Sequence, residues 1–71
     1  MSSGGTVERQ SVAVVRGNVE QILLIKSVFG FVVSVTSGPI EIERVFKKRK
    51  DALTLYDRLS HDLRARTVNS A

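Results

Sequence analysis

Hydrophobic and polar residues alternate along most of this chain and then change period near its end. Gln10 to Arg16 and Val19 to Ile25 are runs rich in β-branched residues, joined by Gly17-Asn18, a dipeptide that tolerates positive φ. They predict a first hairpin. Phe29 to Thr36 and Pro39 to Phe46 predict a second one around Ser37-Gly38, with Pro39 at the first strand position, where its missing N–H does least harm. Ser27 to Gly30 then links the two hairpins into a four-stranded antiparallel meander.

The expected pairing of the second hairpin sets Val35 opposite Ile40, Val33 opposite Ile42, Phe31 opposite Arg44 and Phe29 opposite Phe46. That face is almost wholly apolar, whereas the other pairs Ser34 with Glu41 and Val32 with Glu43 and belongs in water. A slip of one residue would bury both glutamates. In the first hairpin Ser11, Ala13, Val15, Ile22 and Leu24 share one face, and Val12, Val14, Val19, Leu23 and Ile25 share the other, so both sides are apolar.

From Lys48 to about Arg66 the period becomes helical. Ala52, Leu55, Tyr56, Leu59 and Leu63 form an apolar stripe, opposed by Asp57, Arg58, His61, Asp62 and Arg64. Asp57 with His61 and Arg58 with Asp62 are i, i+4 partners on that wet side. The expected architecture is α+β: a four-stranded antiparallel meander with one C-terminal amphipathic helix packed on the face of Phe31, Val33, Val35, Ile40, Ile42 and Phe46. Residues 1–6 read as a flexible polar lead, 7–66 as a single domain and 67–71 as a frayed tail.

One helix covers one face of a small sheet, and the first hairpin has two apolar faces to cover. The economical cover is a second copy of the chain, placing Val12, Val14, Leu23 and Ile25, or the opposite strip of Ala13, Val15, Ile22 and Leu24, at a homodimer interface. The rival is a monomer that docks another protein there.

The chain has 71 residues, 42% hydrophobic and 25% charged, which fits one small folded domain. With no Cys and one His, disulfides and the common His/Cys metal sites are excluded, and no cofactor is expected. The absence of Cys is compatible with a reducing compartment, and the cytoplasm is the default expectation. The most apolar stretch, Ile22 to Val35, is broken by Lys26 and Gly30 and falls short of the roughly 20 residues of a spanning helix, so no membrane span is expected.

Charge adds a direction to the fold. Through Phe46 four basic residues balance four acidic ones, so the net +4 resides entirely from Lys47 onward. In an up-and-down meander Arg9, Lys26, Arg44 and the run Lys47-Lys48-Arg49-Lys50 meet at one pole, where the helix also begins. Cations in a first helical turn oppose the macrodipole. Clustered Lys and Arg beside free helical N–H groups suit phosphate or carboxylate. The expected function is a small, non-enzymatic nucleic-acid-binding regulator that uses Lys26, Arg44, Lys47, Lys48, Arg49 and Lys50. The alternative is a protein-interaction module.

From Ile40 to Leu59, a strand ending in Val45-Phe46 leads to a helix with Ala52 and Tyr56-Asp57, and this order resembles the three-stranded DNA-binding domains of the plant AP2 type and of some integrase arm-binding domains. Such domains read DNA with Arg and Trp on the open sheet face. This sequence places Val32, Ser34, Glu41 and Glu43 there and has no Trp, so docking through the sheet face is disfavoured. Stacking by aromatics is expected to be weak too, because Phe29, Phe31, Phe46 and Tyr56 all fall on the expected core side. Ser60, His61 and Asp62 are consecutive on a helix and diverge, so they make no catalytic triad. Glu41 and Glu43, about 6.6 to 6.8 Å apart along one strand face, read as solvent-facing residues.

Overall fold

The structure, a computed structural model, describes residues 5–69. Met1 to Gly4 of the expected lead, and Ser70 and Ala71 of the expected tail, lie outside the described residues. The strands β1 (Thr6–Val15), β2 (Asn18–Ser27), β3 (Gly30–Ser37) and β4 (Ile40–Phe46) form one antiparallel sheet in the order β1-β2-β3-β4, followed by the helix α1 (Arg49–Asn69). The α+β meander with a single C-terminal helix on one face is therefore the fold.

Both outer turns sit one residue earlier or later than the sequence predicts. In the first hairpin Val15 pairs with Asn18, so the loop is Arg16-Gly17. Both loop residues have positive φ, 52° and 81°, as a type I′ turn requires. In the second hairpin Ser37 pairs with Ile40, and the loop is Gly38-Pro39. Gly38 takes a φ of 58°, and Pro39, whose ring fixes φ near −65°, occupies the next position, the pattern of a type II′ turn. Placing Pro39 in the turn also spares the ladder its missing N–H.

The register of the second hairpin accordingly moves by two residues: Val35 faces Ile42, Val33 faces Arg44 and Phe31 faces Phe46. A shift of two keeps every side chain on its face, so the expected division into core side and solvent side survives the wrong pairing. Glu41 and Glu43 remain exposed on the side away from the helix.

Val15, Ile22, Leu24 and Val33 from the sheet meet Ala52, Tyr56 and Leu63 from α1 in the core. Leu24 and Val33 are completely buried, and so is Ala52, whose small side chain lets the helix lie close to the strands. At about 1.5 Å per residue α1 is about 32 Å long, matching the roughly 33 Å of the ten-residue strands β1 and β2. It lies mainly on β1, β2 and β3.

Ile40 and Ile42 of β4 consequently stay 59% and 51% exposed, contrary to their expected place in the core. A groove of about 500 Å³ remains between β4 and α1, with Val33, Ile42, Phe46, Leu55 and Leu59 among its walls. The buried strip of the helix is also rotated from the apolar stripe. Ser60 is buried while Leu59 is half-buried, because the Ser60 hydroxyl meets Ser11 Oγ at 3.0 Å and Ser11 Oγ meets the Tyr56 hydroxyl at 2.8 Å. This polar seam gives buried hydroxyls their partners along β1.

The far end of α1 is tied to the sheet by charge. Arg66 meets Glu20 of β2 at 2.8 Å and Asp62 at 3.1 Å, so Asp62 pairs one turn forward with Arg66. The helix runs through Asn69, taking in Thr67 of the expected tail, whose hydroxyl donates to the Leu63 carbonyl at 2.8 Å. Among the described residues no helix is long and apolar enough to cross a membrane.

Candidate nucleic-acid interface

The short link between β2 and β3 defines the tip of the molecule. Ser27 pairs with Gly30, leaving Val28 and Phe29 as the two turn residues. The Ser27 hydroxyl accepts a hydrogen bond from the Phe29 N–H at 3.2 Å and donates to the Gly30 carbonyl at 3.3 Å, fixing the turn from within. Gly30 has a φ of 135° and sits hard against the end of β4. A Cβ there would overlap the Phe46 carbonyl oxygen and stand 3.5 Å from the Lys47 Cα. Glycine at this position thus brings the β2–β3 turn and the start of the basic run into backbone contact.

This arrangement corrects the expectation for Phe29. It does not oppose Phe46 in the core; Phe31 takes that place. Phe29 projects from the turn and is 81% exposed, and Val28 beside it is 83% exposed. Sequence reasoning missed this pair because the shifted register was invisible to it. The Ser-X-X-Gly frame around them, with a hydroxyl able to close a turn and a glycine free to take positive φ, was the available signal.

The cations gather around this tip to different degrees. Lys26 lies opposite Thr6 and Phe31, one residue before the turn, and is exposed. Lys47 and Lys48 lead from β4 into α1, where the Ala52 N–H donates to the Lys48 carbonyl at 3.3 Å. Arg49 and Lys50 open the helix. Lys26, Lys47, Lys48 and Lys50 make no ion pair among the described residues. Arg49 donates through Nε to Glu8 Oε1 at 3.1 Å, and Glu8 sits at a bulge in β1, where the pairing shifts between Val7 and Arg9.

Arg44 stands farther back. It faces the helix side opposite Val33 and lines the groove with Asp51 and Arg58, so it flanks the first helical turn rather than the tip. Arg9 lies away from the tip group, opposite Leu24 and in a cleft with Asp57, His61 and Arg64 between β1 and α1. The first three backbone N–H groups of α1 have no helical acceptor, and Asp51 is the acidic residue of the first turn. Phosphate, with its several acceptor oxygens, is chemically suited to this set of mobile ammonium groups and free N–H donors.

Val12, Val14, Leu23 and Ile25 occupy neighbouring positions on the sheet face away from α1. Val12 and Val14 are exposed and Leu23 and Ile25 half-buried, and Val19, Val32 and Val45 share that face. The Ser60 hydroxyl is engaged by Ser11 and His61 is exposed, so these neighbours do not converge on a common point. Among the described residues no group of three or more His, Asp or Glu side chains is arranged to hold a metal ion. Comparison of the chain with protein-family models, with curated proteins and with solved structures gives no match.

Proposed function

We propose that this protein is a small, non-enzymatic nucleic-acid-binding regulator of the cytoplasm that grips the phosphate backbone with Lys26, Lys47, Lys48, Arg49 and Lys50, with Arg44 flanking. The observation that carries the reading is the polarity of charge: the segment through Phe46 that forms the sheet and its turns is balanced, and the excess cations stand together where the β2–β3 turn, the end of β4 and the start of α1 converge. A positive first turn works against the helix dipole, at a cost of roughly 0.3–1 kcal/mol per charge. A bound anion would reverse that local conflict.

The exposed valines on the open sheet face favour a second element of the reading, a homodimer joined through Val12, Val14, Leu23 and Ile25. The competing function, a module that docks a different protein, would use the same strip. A mobility-shift titration at two salt concentrations separates them. Engagement of about five phosphates gives a log–log slope near −4.5 on duplex or −3.5 on a single strand. Absence of binding at about 50 mM salt overturns the nucleic-acid reading, and a sedimentation profile of monomer alone at high concentration overturns the dimer.

A further inference from the structure

We propose that the basic tip selects single-stranded over duplex nucleic acid, with Phe29 as a platform on which an unpaired base stacks. The inference rests on the phosphate-binding reading above and names the form of nucleic acid that this site takes.

A large apolar side chain exposed in a two-residue turn gains nothing from the core and keeps its apolar surface in unfavourable contact with water. Phe29 is nevertheless held outward by a turn with three separate constraints: the Ser27 hydroxyl on both sides of it, the Ser27–Gly30 pairing, and the contact of Gly30 with the end of β4. The ring is therefore presented on a fixed support. Lys26 stands three residues before it, and Lys47 follows directly on the β4 carbonyl that Gly30 abuts. An aromatic face amid cations that track a backbone is the combination by which proteins hold unpaired strands.

Charge alone argues the other way. Duplex DNA has the higher charge density and releases more counterions per contact than a single strand, so a purely ionic tip favours duplex. In a duplex each base face is already covered by its neighbours, whereas an unpaired base can give its face to a ring. A preference for single strands thus reports the ring, and the salt slope reports the lysines. The two are separable in one experiment.

The chain has no Trp, so Phe29→Trp introduces a single reporter at the tip. Anisotropy titrations would use labelled oligothymidylate and oligouridylate of about 12 nucleotides and a DNA duplex of equal length, at about 50 mM salt. Wild type is expected to bind a single strand more tightly than the duplex. Phe29→Ala should weaken single-strand binding about tenfold, within the 1–3 kcal/mol range of one stacked base, with the salt slope unchanged and duplex binding altered less than about twofold. Phe29→Trp should retain the affinity and lose emission on binding, and Phe29→Leu should behave as the alanine variant.

Either the DNA or the RNA strand meeting these terms supports the proposal, and their ratio identifies the source. Equal losses on strand and duplex, no loss in Phe29→Ala, or unquenched Trp emission in the bound state overturns it while leaving the lysine site intact. If wild type binds none of the three, the underlying reading falls with it.

Discussion

Replacing Lys47, Lys48, Arg49 and Lys50 together by alanine should lower affinity for nucleic acid by about hundredfold or more at about 50 mM salt and flatten the salt dependence by roughly three units of log–log slope. Each cation that reaches a phosphate contributes about 0.7 to 0.9 to that slope by releasing a counterion. Four of the cations around the tip are removed, leaving Lys26 and the recessed Arg44. The four positions are exposed, and alanine is the better helix former at Arg49 and Lys50. Among the described residues the one ion-pair partner lost is Glu8, in an exposed pair worth little to stability. A thermal midpoint at or above that of the wild type, together with the lost binding, is the expected joint result, read by anisotropy and by circular dichroism. Retained affinity with an unchanged slope would move the binding surface away from this end of the molecule.

Gly30→Ala should destabilise the fold by about 3 kcal/mol or more, and the reason is geometric rather than compositional. At a φ of 135° an L residue is in a region essentially reserved for glycine, at a cost of about 1–3 kcal/mol. The added methyl also overlaps the Phe46 carbonyl oxygen, a backbone atom that moves only if β4 or the β2–β3 turn moves. Against a total of roughly 4 to 11 kcal/mol for a chain of this length, the loss is large, and a drop in thermal midpoint of about 12 °C or more follows. Urea denaturation followed by circular dichroism measures it. Gly38→Ala is the useful contrast, because a Cβ there meets only the Asn18 side chain, at 3.7 Å. It bears the backbone strain of a φ of 58° without a clash. A similar loss in both variants would place the whole Gly30 effect on its dihedral.

Much of this architecture was legible in the order of residues because alternation is insensitive to a slip of two. The faces of Val33, Val35 and Phe31 were right although their partners were not, since each turn moved by one position and each pairing by two. What the pattern could not report was the choice between Gly17-Asn18 and Arg16-Gly17, or between Ser37-Gly38 and Gly38-Pro39. The φ values of Arg16 and Gly38 decide those. The path of the helix across the sheet was equally hidden. Ile40 and Ile42 were assigned to the core by their face, yet α1 lies over the other strands and leaves them half open. The seam of Ser11, Tyr56 and Ser60 needs three residues from two distant segments and has no local signature. At the tip, Lys26 and the basic run were recognisable from strand ends alone, whereas Phe29 was misplaced because it was read as the first residue of a strand.

The two rims of the sheet differ from its flat surface in what they permit. Along β1 the bulge beside Glu8 interrupts the ladder, and Glu8 is engaged by Arg49; along β4, Glu41 and Glu43 place like charges on alternate residues. Both are devices that discourage a further strand from annealing edge-on. Edge-to-edge annealing of copies into an ever-widening ribbon is thereby disfavoured, and the homodimer proposed above would instead join two sheets through their open faces, an arrangement that closes after one partner.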